Sequence, residues 1–150
     1  MSITKNKSEV LLVDDCAEDL ELAMTVLSDY WPAEKIVAVR DGVEALDFLL
    51  RRGEYSGRAA VNPALILLDI KMPKIDGIEV LRRIKADPKL RVIPIVILSS
   101  SREERDVVEC YRLGSNAYVV KPLVFAEFYA ALTKLAAFWL SVNEMPAGSL

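Results

Sequence analysis

The fold class this sequence predicts is a doubly wound α/β domain on a five-stranded parallel sheet. Five short apolar runs rich in Val, Ile and Leu recur along the chain, each bounded by turn residues. After each run comes a stretch whose apolar residues recur at helical spacing. The 150 residues, 53% of them hydrophobic, are enough for one packed domain, and no repeat or composition break marks a second. Continuous apolar runs suit strands buried on both faces, as in a parallel sheet covered by helices.

The elements follow in order. VLLVD (Val10 to Asp14) is the first strand, and Leu20, Met24, Leu27 and Trp31 place a helix from Cys16 onward that Pro32 ends. KIVAVR (Lys35 to Arg40) is the second strand; Asp41-Gly42 turns the chain into a helix with the stripe Val43, Leu46, Leu49 and Leu50, stopped by Gly53. A polar loop with Gly57 and Pro63 leads to the third strand, ALILLD (Ala64 to Asp69), and a helix carrying Ile78, Leu81 and Ile84 that ends near Asp87-Pro88. IPIVILS (Ile93 to Ser99) is the fourth strand. Ser101 and Glu104 form a capping box for a helix through Cys110 and Tyr111 to a C-cap at Gly114. AYVVK (Ala117 to Lys121) is the fifth strand, and a long last helix runs from Phe125 to about Val142. Residues 1–8 and 144–150 read as flexible ends of a 9–143 domain.

Several function classes drop out. Nineteen basic against 22 acidic residues give a net charge of −3, with no basic cluster longer than Arg51-Arg52 or Arg82-Arg83, so a nucleic-acid surface is not expected. The polar start lacks the apolar core of a signal peptide, and no apolar run approaches the length of a membrane span; a cytoplasmic protein with no membrane contact is expected. Cys16 and Cys110 stand far apart and unaccompanied by any His, which gives neither a zinc spacing nor a disulfide framework. The absence of His also removes the commonest general base.

In a parallel sheet the strands' carboxyl ends share one edge, where ligands bind. The sequence places Asp14 and Asp15 after the first strand there, Asp69 after the third, Ser99 after the fourth and Lys121 after the fifth. Each alone is an ordinary polar strand end; together, on separate loops, they converge. Three close carboxylates need a cation or a proton between them, and oxygen-only ligands suit Mg²⁺. A carboxylate can accept a phosphoryl group, and an ammonium and a hydroxyl can hold the transferred oxygens.

VDD at Val13 to Asp15, LLDIKMPKIDG at Leu67 to Gly77, PIVILSSS at Pro94 to Ser101 and NAYVVKPL at Asn116 to Leu123 resemble the motifs of the receiver domain of two-component response regulators. The resemblance covers nearly the whole chain. It implies a flavodoxin-like, CheY-like strand order of 2-1-3-4-5, a phosphoacceptor rather than an enzyme, a sensor histidine kinase as partner and Mg²⁺ as cofactor. By position, Asp69 is the phosphorylated residue, Asp15 a direct metal ligand, Asp14 a ligand through water, and Lys71 a contributor of its backbone carbonyl. Ser99 is the switch hydroxyl, Tyr118 the switch aromatic, Lys121 the phosphate-contacting lysine, and the bond to Pro122 is cis. Leu123 departs from the pattern, which often has an aromatic there, and is expected to touch the core more than the site. ADPKLRVIPIVILSSS and the terminal FWL (Phe138 to Leu140) with Pro146 resemble, more narrowly, the stand-alone response regulators that serve phytochromes.

Three rival readings turn on single features. A dehalogenase-type phosphatase needs a second Asp where Lys71 stands; a flavodoxin needs a phosphate loop where Asp14 and Asp15 stand; a receiver-like interaction module that is never phosphorylated would have lost an acidic residue or the lysine, and none is lost. The last helix carries apolar residues around more than one face, and an outer helix can hide only one. A homodimer is therefore expected through the fourth helix, fifth strand and last helix, using Tyr111, Tyr118, Phe128, Phe138, Trp139 and Leu140, with the part past Phe138 reaching onto the mate.

Overall fold

The computed structural model describes residues 8–146. Its five parallel strands are β1 (Val10–Val13), β2 (Ile36–Val39), β3 (Leu65–Leu68), β4 (Ile95–Ser99) and β5 (Ala117–Val120), in the order β2-β1-β3-β4-β5. The helices are α1 (Ala17–Leu27), α2 (Gly42–Leu50), α3 (Gly77–Ala86), α4 (Glu104–Leu113) and α5 (Phe125–Ala137). Val10 sits between Ile36 and Leu65, and Val96 pairs with Ala117, so the strands are aligned and end together.

Alternation along each strand divides the core in two. Val10, Leu12, Leu65, Leu67, Val96 and Leu98 face α1 and α5, meeting Leu20, Leu27, Leu132 and Leu135. Leu11, Val13, Ile66, Leu68, Ile95 and Ile97 face α2, α3 and α4, meeting Leu46, Phe48, Leu81, Ile84 and Cys110. The central strands are wholly buried, whereas edge strand β5 is half-buried along its length, since no strand covers its outer side.

Several boundaries differ from the sequence expectation for identifiable reasons. Strand β4 begins after Pro94, which has no N–H to donate and instead accepts the Ile66 N–H at 3.0 Å. Helix α1 ends at Leu27, yet Trp31 stays in the core because its indole N–H donates to the Ser8 carbonyl at 2.9 Å. No capping box forms at α4: the cap position is Glu103, and the Ser101 hydroxyl donates to Asp106 at 2.6 Å instead. Gly114 does end α4, in the left-handed conformation (φ 108°) expected of a glycine cap.

The last helix is α-helical only to Ala137 and widens into a π-type turn over Phe138–Val142. The continuous stretch Phe125–Val142, at 18 residues and a mean hydropathy of 1.2, has the length and apolarity of a membrane span, which corrects the expectation that no run comes close. Its buried stripe of Phe128, Leu132, Leu135, Ala136 and Leu140 packs within the core on the α1 side. Phe128 and Leu140 thus belong to the domain's own core, and Trp139 packs partly against it. The segment past Phe138 folds back, with Met145 on the same cluster, rather than projecting outward. Burying that stripe against the sheet removes its apolar surface from water, while Phe125, Tyr129, Phe138 and Val142 remain exposed. The expected flexible ends lie mostly outside the described residues.

Candidate functional site

The common carboxyl edge of the sheet builds the site. β1 ends in Asp14-Asp15, and Asp14 is fixed there by its own N–H on the Val39 carbonyl at 3.2 Å and by the Cys16 N–H donating to its Oδ1 at 2.9 Å. β3 ends in Asp69, whose N–H donates to the Val13 carbonyl at 2.9 Å and whose Oδ1 accepts the Ile70 N–H at 2.8 Å. One carboxylate oxygen from each of Asp14, Asp15 and Asp69 lies within 4.8 Å of the others. Asp14 and Asp69 are buried and Asp15 is exposed, so the cluster is open on one side. Three oxygen donors with no nitrogen or sulfur fit a hard divalent cation that keeps several waters.

Lys121, at the end of β5, reaches across to the first strand. Its Nζ donates to Asp14 Oδ2 at 2.6 Å and to Asp19 Oδ2 at 2.8 Å, and lies 3.7 Å from Asp69 Oδ2. Burial alone would lower the ammonium's pKa, but the bonds to Asp14 and Asp19 and the charge of Asp69 hold it above the ordinary range. Asp69 moves the other way. Burial pushes its carboxyl up to about 6, with Asp14 adding to the rise, against the opposing pull of Lys121, the Ile70 N–H and the Ser99 hydroxyl.

Ser99 is fully buried at the end of β4, and its Oγ accepts the Ser101 N–H at 3.2 Å. Tyr118 is half-buried, and its hydroxyl donates to the Ser101 carbonyl at 3.0 Å. Ser101 therefore touches the Ser99 hydroxyl, the Tyr118 hydroxyl and, through Asp106, helix α4. Lys71 stands exposed two residues beyond Asp69.

Two expectations fail here. The Lys121–Pro122 bond is trans: there is no cis peptide among the described residues. The trans form is intrinsically preferred by roughly 0.5–1 kcal/mol, and the Lys121 ammonium reaches Asp14 without the other isomer. Leu123 touches the core little, being 95% exposed. It lies in the loop between β5 and α5, turned to solvent.

Sequence reasoning missed two contributors. Asp19 sits in the first turn of α1, where an acidic residue reads as complementing the helix dipole and gives no hint of a partner more than a hundred residues away. Arg40, just past β2, donates from Nη2 to the Asp15 carbonyl at 2.8 Å and from Nε at 3.3 Å, tying down the loop that carries two of the three carboxylates.

Comparison with known proteins agrees with this arrangement. The model of the response regulator receiver domain matches residues 10–133. The response regulator Rcp1 of Synechocystis sp. is 38% identical over 138 residues, 92% of each chain. The phosphorylated cyanobacterial phytochrome response regulator RcpA superposes with a TM-score of 0.87 at 38% identity, over 93% of this chain and 98% of that one. The Mn²⁺-bound form of Rcp1 gives 0.86 at 36% identity, over 93% and 99%. The bacteriophytochrome response regulator RtBRR is 48% identical at a TM-score of 0.72, over 95% and 86%.

Proposed function

This chain belongs to the response regulator receiver family, and from that premise we propose that it accepts a phosphoryl group on Asp69 from a sensor histidine kinase, of the phytochrome class, in a cytoplasmic two-component phosphorelay. The single observation that carries this is the convergence of Asp14, Asp15, Asp69 and Lys121 at one edge of the sheet, an acceptor with cation sites on both sides. An Asp69 oxygen bonds to phosphorus as the phosphorus–nitrogen bond to the kinase's phosphohistidine breaks, and the electron pair leaves on the imidazole nitrogen. Mg²⁺, held by Asp14, Asp15, Asp69 and the Lys71 carbonyl, would neutralise charge on the transferred oxygens. Lys121 takes another of those oxygens and Ser99 a third. Since the donor must come within bonding distance of Asp69, it must cover the neighbouring loop. There Leu123 and Phe125 are 95% and 69% exposed, an apolar rim fitted to a helical partner. Intact mass after incubation with acetyl phosphate and Mg²⁺ tests the acceptor: one phosphoryl adduct, mapping to the peptide with Asp69, is expected, and an adduct elsewhere overturns it.

The output is a changed surface. A phosphoryl group draws the Ser99 hydroxyl toward it and away from the Ser101 N–H, and Ser101 hands the change to Tyr118 and to α4. Ser99→Ala is expected to keep the adduct but lose the phosphorylation-dependent amide shifts of α4 and β5; shifts that persist would overturn this route.

The same face serves as a homodimer interface in our reading. Val108 and Tyr111 on α4 and Tyr129 and Phe138 at the last helix are among the exposed apolar residues there, Tyr111 at 51% and Phe138 at 47%. Because Phe138 is outside the core, Phe138→Glu tests association without unfolding the domain. Light scattering at micromolar concentration should show a dimeric wild type and a monomeric variant. A monomeric wild type, or an equally dimeric variant, contradicts the interface.

A further inference from the structure

Asp19 is the site's fourth carboxylate, and it lies outside the metal-ligating group of Asp14, Asp15 and Asp69. Its ion pair there is with Lys121. An ammonium has three N–H donors. One of these goes to Asp14 at 2.6 Å and one to Asp19 at 2.8 Å, while the nearest Asp69 oxygen, at 3.7 Å, is beyond hydrogen-bond distance. The lysine on which phosphoryl binding depends is therefore committed to two other carboxylates.

We propose that Asp19 is a positioning residue that competes with the phosphoryl group on Asp69 for Lys121, and so sets how readily the acceptor is phosphorylated and how long the adduct is held. This rests on Asp69 being the acceptor. The two carboxylates that hold the ammonium differ in what a cation at the site does to them. Asp14 belongs to the cluster that would hold a cation, and would then share its charge between that cation and Lys121; Asp19, outside the cluster, would keep its own hold on the ammonium. Engaging a phosphoryl oxygen then means leaving or weakening a charge-assisted bond in a half-buried place, where such bonds are stronger than in water.

A purely orienting role for Asp19 predicts the opposite sign. If it were needed to aim the lysine, its loss would leave the ammonium wandering and slow the reaction. The structure argues against that need: the Lys121 side chain is 10% exposed, and its bond to Asp14 already directs it toward Asp69.

The experiment compares wild type, Asp19→Asn, Asp19→Ser, Asp19→Glu and Asp69→Asn. Labelling by acetyl phosphate at fixed Mg²⁺ is followed by intact mass, and binding of beryllofluoride, a non-covalent phosphoryl mimic, by amide NMR shifts; thermal midpoints report folding. Asp19→Asn and Asp19→Ser are expected to label and to bind the mimic roughly tenfold better than wild type, the scale of one charge-assisted bond, and Asp19→Glu to return both to the wild-type level. Equal or slower labelling and unchanged mimic affinity in both neutral variants, whether their midpoints hold or fall, would overturn the role of Asp19. Equal labelling of wild type and Asp69→Asn would instead overturn the acceptor.

Discussion

Asp69→Asn is expected to take up no phosphoryl group from acetyl phosphate and, in metal-free buffer, to be more stable than wild type at neutral pH. The first half follows from nucleophilicity: an amide offers no anionic oxygen to phosphorus, and of the two carboxylates left in the cluster Asp14 is held by the Lys121 ammonium at 2.6 Å and Asp15 is exposed. The second follows from burial. Holding the Asp69 carboxylate charged in the fold is unfavourable, which is why its pKa is pushed up to about 6. A group whose folded pKa is raised favours the folded state when protonated, so its contribution is present below about pH 4 and lost as pH rises through about 6. At pH 7.5 the wild type bears the full penalty and the Asn variant none. With water reaching the open side of the site, the difference should be on the order of 1–2 kcal/mol in the variant's favour, shrinking toward zero between pH 6 and 4. Urea unfolding in EDTA at pH 7.5 and 4.5 measures it. A variant less stable at pH 7.5, or a gap that does not close, would contradict this account of the site's electrostatics.

Gly77→Ala should damage fold and site together. The first residue of α3 packs directly on the backbone at Asp69 and Ile70: its N–H donates to the Ile70 carbonyl at 2.8 Å. A Cβ at position 77 would lie 2.8 Å from the Asp69 carbonyl carbon and 2.9 Å from Ile70 Cα, and closer still to the Asp69 carbonyl oxygen. Those are backbone atoms of a buried strand end, so no flexible side chain can yield. Overpacking of this kind costs about 1–3 kcal/mol, and rigid backbone on both sides places this case at the upper end. A domain of this size loses about 2–4 °C in Tm per kcal/mol, so a drop of roughly 6–10 °C is expected by calorimetry. The strain also falls on Asp69 itself, and labelling by acetyl phosphate should slow at temperatures where the variant is fully folded. Wild-type Tm and labelling in Gly77→Ala would show that the helix start can shift freely, against the close contact described.

The parallel order of elements was legible because burial on both faces forces strands into short unbroken apolar runs, and helices into stripes at 3.6-residue spacing. Asp14, Asp15, Asp69, Ser99 and Lys121 could be placed at one edge for the same reason: in a parallel sheet every strand's carboxyl end lies there. Cap and boundary details were less legible. The Ser101 hydroxyl accepts the Glu103 N–H at 3.3 Å and donates to the Asp106 carboxylate at 2.6 Å, a pairing that the Ser-x-x-Glu spacing does not show.

The fate of the last helix shows the limit most clearly. Its sequence displays two apolar faces, and composition alone offers three coverings for the second: a bilayer, a mate or the chain's own core. Folding placed Phe128 and Leu140 in the core and left Phe138 and Val142 outside, with the helix widening into a π-type turn after Ala137. Asp19 is the same lesson within the site. What the sequence determined by itself is everything carried by periodicity: the elements, the order in which they alternate, and the chemistry at the strand ends. What only the tertiary structure decided is which groups meet across the fold, Lys121 with Asp19, Arg40 with the Asp15 carbonyl and Gly77 with the Asp69 backbone. Such contacts join residues tens of positions or more apart in most cases, or depend on ångström-scale approach, and no local pattern encodes either.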